Sequence, residues 1–200
     1  MNGRFTPAQL AASAKLKGYR WCTYQLNDAT LGPQQWAACA AFRDAWHAAG
    51  LEYFTVWLTR PFDGALARRA VVETGAAGII LEGEIPPGRP ESVDWVDVIF
   101  HLGDLDVAKA VVSNTAAFVH QDGTPAPEVA EPLIVDGWAY ISECFISESP
   151  NSTPARTDFY AKSALGWPRT QPMIEGWHID AYGDLSSFQN VSHWDAGNVL

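Results

Sequence analysis

Two carboxylates at the end of an apolar run are the residues best placed for chemistry in this chain. Residues 78–81 are apolar and lead into Glu82 and Glu84, which are two positions apart. In a β-strand, positions i and i+2 point to the same face. A buried strand that ends in two such acids predicts an acidic pocket, of the kind found at the mouth of an α/β barrel.

Further polar and aromatic side chains stand where other strands are predicted to end. The candidate catalytic residues are the four acids Glu82, Glu84, Glu143 and Asp180. The candidate substrate-binding residues are Gln25, Trp57, Asn114, Trp177, His178 and Trp194. Barrel sites form at the carboxyl ends of strands, so we expect these groups to meet at one edge of the fold.

Paired carboxylates are the groups that glycoside hydrolysis requires. The two carboxyl groups are about 5–5.5 Å apart in retaining enzymes and about 6.5–9.5 Å apart in inverting ones. Glu82 or Glu84 with Glu143 would meet either distance across a barrel mouth, and Asp180 is an alternative second acid. Of the nine Trp residues, Trp57, Trp177 and Trp194 would suit stacking on sugar faces, although any single Trp is more often a core residue.

A metal site is the second chemical possibility. His178 and Asp180 form an i,i+2 pair on a predicted strand. Glu82 and His193 would complete an oxygen and imidazole ligand set for zinc or manganese. A single H-x-D pair is common by chance, so the sequence predicts no bound metal and no other cofactor. A serine triad is disfavoured because no G-x-S-x-G nucleophile elbow occurs.

The three cysteines do not indicate a disulfide scaffold or a zinc site. Cys22, Cys39 and Cys144 are far apart and odd in number, and they show no C-x-x-C spacing. We interpret them as small buried apolar side chains. Cys144 follows Glu143 directly, and it would act as a nucleophile only with a histidine close by.

Strands and helices alternate along the chain and must position these groups. Strands are predicted over 19–26, 51–58, 77–84, 108–116, 138–146, 171–179 and 190–195. Helices are predicted over 6–18, 32–50, 63–74, 91–102, 127–135 and 154–165. Strict alternation implies a parallel sheet. The predicted fold is α/β, a compact TIM-like (β/α) barrel of seven to eight parallel strands, with an open doubly wound sheet as the alternative.

Local signals give sharper expectations for three elements. Thr6 and Gln9 have the spacing of a capping box at the first helix, and Asp63 suits the N-cap of the third. Regular alternation favours a helix over 91–102, whose apolar face would consist of Val93, Val96, Ile99 and Phe100. In the second strand, the residues expected to face the helices are Phe54, Val56 and Leu58, while Trp57 would face inward.

Composition indicates a globular chain that does not bind nucleic acid or enter a membrane. Of its 200 residues, 48% are hydrophobic and 18% are charged, and the net charge of −10 opposes contact with a phosphate backbone. No run of 18 apolar residues occurs, and residues 1–5 lack the apolar core of a signal peptide. Residues 1–17 would form a helix that packs on the barrel, and residues 18–200 a single (β/α) barrel domain.

The second half of the chain contains a series of short spaced motifs. They are V-V-S-N at 111–114, P-L-I-V-D-G-W at 132–138, Glu143, L-G-W-P at 165–168, Q-P at 171–172 and a closing aromatic strand. Their order resembles the compact TIM-barrel, glycoside-hydrolase-like minor tail and other virion proteins of phages that infect actinobacteria. The resemblance covers roughly residues 18–200, and it supplies no fixed catalytic set, so no catalytic role is transferred.

The resemblance implies a phage virion structural protein, at the tail or the particle surface, that serves assembly or contact with host-envelope glycan. Its partners would be other virion proteins and that glycan, and it would form a homo-oligomer in the particle. The missing signal peptide fits a protein released by lysis and fits a cytoplasmic enzyme equally well. Two alternatives stay open: an active glycoside hydrolase using Glu82 or Glu84 with Glu143, and a metal-dependent hydrolase centred on His178 and Asp180.

Overall fold

Helices and strands alternate through the chain in a computed structural model. It describes residues 5–26, 32–59, 62–83, 93–113, 118–120, 122–145, 151–168, 170–175, 181–182, 185–186 and 192–194. The helices in these residues are α1 (Pro7–Leu16), α2 (Pro33–Ala48), α3 (Gly64–Thr74), α4 (Trp95–Leu102), α5 (Pro127–Val135) and α6 (Pro154–Ser163). The strands are β1 (Trp21–Leu26), β2 (Tyr53–Leu58), β3 (Gly78–Glu82), β4 (Ala108–Ser113), β5 (Ala139–Cys144), β6 (Thr170–Glu175) and β7 (Ser192–Trp194).

The helix boundaries follow the capping signals in the sequence. The predicted capping box is confirmed at α1, where the Thr6 side chain accepts from the Gln9 N–H and the Gln9 side chain accepts from the Thr6 N–H. At α3, the Asp63 carboxylate accepts from the Leu66 N–H at 2.8 Å. This helix ends at Gly75, whose φ of 61° is left-handed and favours glycine.

The chain divides into two compact units. The first consists of Met1–Leu81, Asp97–Ala108 and Ala196–Leu200, and the second of Glu82–Val96 and Lys109–Asp195. In the first unit, β1, β2 and β3 pair in parallel and in chain order. In the second unit, β4, β5, β6 and β7 do the same.

The core of the first unit lies between the strands and their helices. The predicted helix-facing residues of β2, Phe54, Val56 and Leu58, are fully buried. The Phe54 ring lies 6.3 Å from the Phe42 ring of α2, measured between centroids. Helix α1 packs against α2 in the same unit. The alternation along β2 is therefore confirmed on its helix-facing side.

An aromatic cluster fills the core of the second unit. Its members are Trp95, Phe118, Trp138, Tyr140 and Trp167, all at most 5% exposed. The Tyr140 and Trp167 rings are 5.0 Å apart between centroids, and the Trp167 indole N–H donates to the Trp138 carbonyl at 3.0 Å. The sequence allowed two roles for its Trp residues, sugar stacking and core packing. Trp95, Trp138 and Trp167 pack in the core.

Helix α4 forms as predicted but buries a different face. Trp95, Val98 and Leu102 are buried, whereas Val96 and Phe100 are 66% and 79% exposed. The predicted apolar face is therefore wrong. Both faces repeat at three- and four-residue spacing, and the face with Trp95, Val98 and Leu102 is the one that buries the largest apolar side chain of the helix.

The α/β prediction is confirmed in its general form, with parallel strands that alternate with helices. Closure into a barrel requires the first strand to pair with the last. Among the described residues, β1 pairs with β2 and β7 pairs with β6, and no pair joins β1 to β7. The described pairs therefore do not form a closed barrel of seven to eight strands. No helix in the described ranges has the length and apolar character needed to cross a membrane.

The cap of α3 gives a test of this local architecture. We expect Asp63→Ala to lower the free energy of unfolding by about 1 kcal/mol, because the Leu66 N–H loses its acceptor. Asp63→Asn is the matched control, since asparagine caps about as well as aspartate. Urea unfolding followed by circular dichroism measures both variants. Equal losses in the two variants would contradict a capping role for the side chain.

Candidate functional site

Gln25 and Trp57 lie side by side near the carboxyl ends of β1 and β2. The two residues are partners in the parallel register, so their side chains share one face of the first unit. Gln25 is exposed, whereas Trp57 is only 4% exposed. The two side chains are therefore neighbours, but the burial of Trp57 leaves little of its ring surface for stacking on a sugar.

Glu82 and Glu143 lie in the second unit, where β4 separates them. The Gly83 N–H donates to the Val112 carbonyl at 2.8 Å, which places the end of β3 beside β4. On the other side of β4, Val112 is the register partner of Ile141 in β5, and Glu143 stands two residues further along. Two of the four candidate acids are thus held near one edge of neighbouring strands.

The two carboxylates project from the same face of these strands. A Cβ atom built at Gly83 would lie 2.6 Å from a Val111 methyl group, so position 83 points to the face of Val111. Glu82 precedes it and therefore points to the opposite face. That opposite face is the one occupied by Val112, its register partner Ile141 and, two residues later, Glu143.

Strand geometry sets the scale of the separation. Two strand spacings of about 4.8 Å and two residue rises of about 3.3 Å put the Glu82 and Glu143 backbones on the order of 12 Å apart. Each side chain reaches several ångströms from the backbone, so the carboxyl groups can approach the wider range used by inverting enzymes, about 6.5–9.5 Å. Both residues are half-buried and keep access to solvent. Such a pair is able to bind hydroxyl groups from two sides.

Loop residues lie beside the backbone at both acids. The Ser152 hydroxyl donates to the backbone carbonyl of Glu143 at 3.0 Å. Next to Glu82, a Cβ atom at Gly83 would lie 3.4 Å from the Phe118 ring. The Glu143 backbone is therefore bonded to the loop after β5, and the ring of Phe118, after β4, lies close to the residue that follows Glu82.

Several predicted site residues lie outside the described residues. They are Glu84, Asn114, Trp177, His178 and Asp180. Trp194 is described only by its strand position, in β7 opposite Glu175 of β6. In the described ranges, no group of three or more His, Cys, Asp or Glu side chains is arranged to hold a metal ion. The predicted pairing of Glu82 with Glu84, and the metal alternative at His178 and Asp180, stay predictions.

Two of the three cysteines are buried as predicted, and burial disfavours the thiolate form of all three. All three are free, Cys39 and Cys144 are buried, and Cys22 is half-buried. Burial raises the pKa of the Cys39 and Cys144 thiols to about 12, and burial also raises the pKa of Cys22 strongly. The Cys144 sulfur lies 3.1 Å from the Thr157 hydroxyl. A cysteine nucleophile at neutral pH is therefore disfavoured.

Sequence reasoning missed the hairpin between β4 and α5. Val119 and Pro125 form an antiparallel bridge, and the His120 N–H donates to the Thr124 carbonyl at 2.8 Å. Asp122 accepts from the Thr124 N–H and hydroxyl, which lowers the pKa of the Asp122 carboxyl. The dipeptide Asp122-Gly123 was the available signal, since D-G is typical of a tight turn.

Comparisons with known proteins do not assign the chain to a family. No protein-family model matches the sequence, and a search of curated proteins found no significant match. The function must therefore be argued from the groups that the fold brings together, which are the two carboxylates of the second unit and the Gln25–Trp57 pair of the first.

The thiol environment predicts a measurable lack of reactivity. At pH 8, the Cys39 and Cys144 thiols should resist iodoacetamide in the folded protein, because a pKa of about 12 leaves almost no thiolate. Mass spectrometry of the intact protein measures the labelling. The urea-unfolded protein is the control and should take up three labels, one for each cysteine. Rapid labelling of folded Cys144 would contradict the protonated, buried state.

Proposed function

We propose that this chain is a structural protein of a phage particle, located at the tail or particle surface, that contacts glycan of the host envelope. The observation that supports it best is the placement of Glu82 and Glu143 on one face, near the carboxyl ends of strands in one unit. Paired carboxylates with solvent access accept hydrogen bonds from sugar hydroxyl groups. A net charge of −10 fits this uncharged class of ligand better than a polyanion.

The proposal includes a glycoside-hydrolase-like (β/α) barrel as the scaffold. Parallel strands in chain order, each followed by a helix in most of the chain, are the pattern from which such barrels are built. A closed barrel of this kind is what the resemblance to phage barrel proteins implies.

Exposed aromatic side chains support a role in assembly. Phe100 on α4 and Phe159 on α6 are 79% and 70% exposed. An exposed Phe leaves a large apolar area in water, and such side chains are enriched where protein surfaces meet. Other virion proteins, or further copies of this chain in a homo-oligomer, are the partners that the proposal assigns to these surfaces.

The second candidate function is an active glycoside hydrolase that acts on envelope polysaccharide. It is favoured by the same pair, because one carboxyl group would protonate the leaving oxygen while the other activates water or attacks carbon. Glu82 and Glu143 would fill these two roles. The metal-dependent hydrolase with His178 and Asp180 remains a third proposal that depends on residues outside the described ranges.

Association with intact particles tests the virion assignment. We expect the chain to copurify with phage particles through a density gradient, at a stoichiometry set by the symmetry of the tail or capsid. Quantitative mass spectrometry of the particle fraction measures it. A non-structural phage protein from the same lysate is the control and should be lost. If the chain is lost together with that control, the virion proposal is wrong.

Glycan binding tests the role of the carboxylates. We expect soluble cell-wall glycan from actinobacterial cells to bind the protein, and Glu82→Gln and Glu143→Gln each to weaken it about tenfold through lost charged hydrogen bonds. Isothermal titration calorimetry measures the affinity. Glu131→Gln is the matched control, since Glu131 is an exposed acid on α5. Equal effects of all three substitutions would contradict the proposed site.

The same variants separate binding from hydrolysis. Release of reducing ends by the wild type, abolished in both Glu82→Gln and Glu143→Gln, would establish the hydrolase and overturn a purely structural role. Binding without release of reducing ends is the outcome that the first proposal expects.

A further inference from the structure

Phe118 has an unusual backbone conformation. Its φ is 52°, and it is the one non-glycine residue with a positive φ in the described part of the chain. This conformation is uncommon for a bulky side chain. The hairpin fixes it, because the Ala126 N–H donates to the Phe118 carbonyl at 2.7 Å and the bridge between Val119 and Pro125 follows directly.

This conformation directs the Phe118 ring into the core of the second unit. The side chain is fully buried, and its ring lies 5.9 Å from that of Trp95 and 5.6 Å from that of Trp167, between centroids. The ring also lies against Gly83, where an added Cβ atom would be 3.4 Å from a ring carbon. The ring therefore joins the aromatic cluster to the residue that follows Glu82.

Gly83 has contacts on several sides. Its N–H donates to the Val112 carbonyl at 2.8 Å, and a Cβ atom would lie only 2.6 Å from a Val111 methyl group. The absent side chain is what allows the Val111 methyl group to approach so closely, while the Phe118 ring lies on the same side at contact distance from the Cβ position. A glycine at a strand end would otherwise have wide conformational freedom, and the backbone of the neighbouring Glu82 would then be less restrained.

We propose that Phe118 is a positioning residue that sets the direction of the Glu82 carboxylate for glycan binding. This inference rests on the proposed function for its ligand, a neutral envelope polysaccharide. Phe118 and Gly83 lie on the Val111 side of the strands, and Glu82 projects from the other side. The ring acts through the backbone and does not touch the ligand.

A double-mutant cycle tests the coupling. Phe118→Leu keeps a buried apolar side chain but withdraws the ring from Gly83, and it should weaken binding of soluble actinobacterial cell-wall glycan by at least about fivefold. In the Glu82→Gln background the same substitution should change the affinity by less than about twofold. An equal loss in both backgrounds would overturn the proposal.

A second measurement does not depend on glycan. The ¹³C carboxyl signal of Glu82, followed by NMR as a function of pH, should change its shift or its titration midpoint in Phe118→Leu. Trp138→Phe is the control for a weakened aromatic cluster, since Trp138 lies 6.4 Å from Trp95 between ring centroids, and it should leave the Glu82 signal as in the wild type. An unchanged Glu82 signal in Phe118→Leu, or the same change in both variants, would overturn the positioning role.

These two arms separate the inference from the proposed function. If the wild type binds no glycan, the proposed function is wrong, and the Glu82 signal still decides whether Phe118 positions it. Should Phe118→Leu fail to fold, Phe118→Met replaces it, because methionine adapts to irregular apolar space and preserves more of the volume. The expected effects on affinity and on the NMR signal are the same.

Discussion

The burial of one face of each parallel strand under helices is the constraint on which the rest of the structure depends. In β2 and β3, the helix-facing side chains Phe54, Val56, Leu58, Ile79 and Leu81 are at most 1% exposed. Side chains alternate with a period of two, so a shift by one residue would move this row to the opposite face of the strands. The same row thereby decides which face receives the polar side chains at the strand ends. Core burial therefore sets the face from which Glu82 projects, whatever the function of its side chain.

Local signals explain why much of the fold is predictable from the sequence. Short-range sequence signals predict three features at the positions where the structure has them. They are the capping box of Thr6 and Gln9, the N-cap Asp63 and the helix α5. Strand partners such as Gln25 and Trp57 follow from the same logic, because parallel neighbours of similar length end at one edge. These features need only residues close in sequence or a regular repeat of elements.

Features that depend on contacts between residues far apart in sequence could not be predicted from the sequence. The buried face of α4 is decided by Trp95, which contacts Phe118 and Trp138, and no spacing within residues 91–102 reveals those partners. The burial of Trp57 is likewise a tertiary property, since a lone tryptophan at a strand end suits a sugar platform and a core equally well. The positive φ of Phe118 depends on the hairpin bond to Ala126 and on burial of the ring against Trp95 and Trp167, so the residue type at this position does not predict it.

The environment of the acids bears on the choice between glycan contact and hydrolysis. A catalytic acid must keep its proton near neutral pH, and enzymes achieve this by burying the carboxyl group in apolar surroundings or placing it beside another charge. Glu82 and Glu143 are half-buried, in contrast to the fully buried residues Leu81 and Cys144 beside them. Neither side chain is therefore enclosed in the way that these enzymes enclose their catalytic acid. The proposal of glycan contact thus requires less of this pair than hydrolysis does, because contact needs only oxygen acceptors that a ligand hydroxyl group can reach.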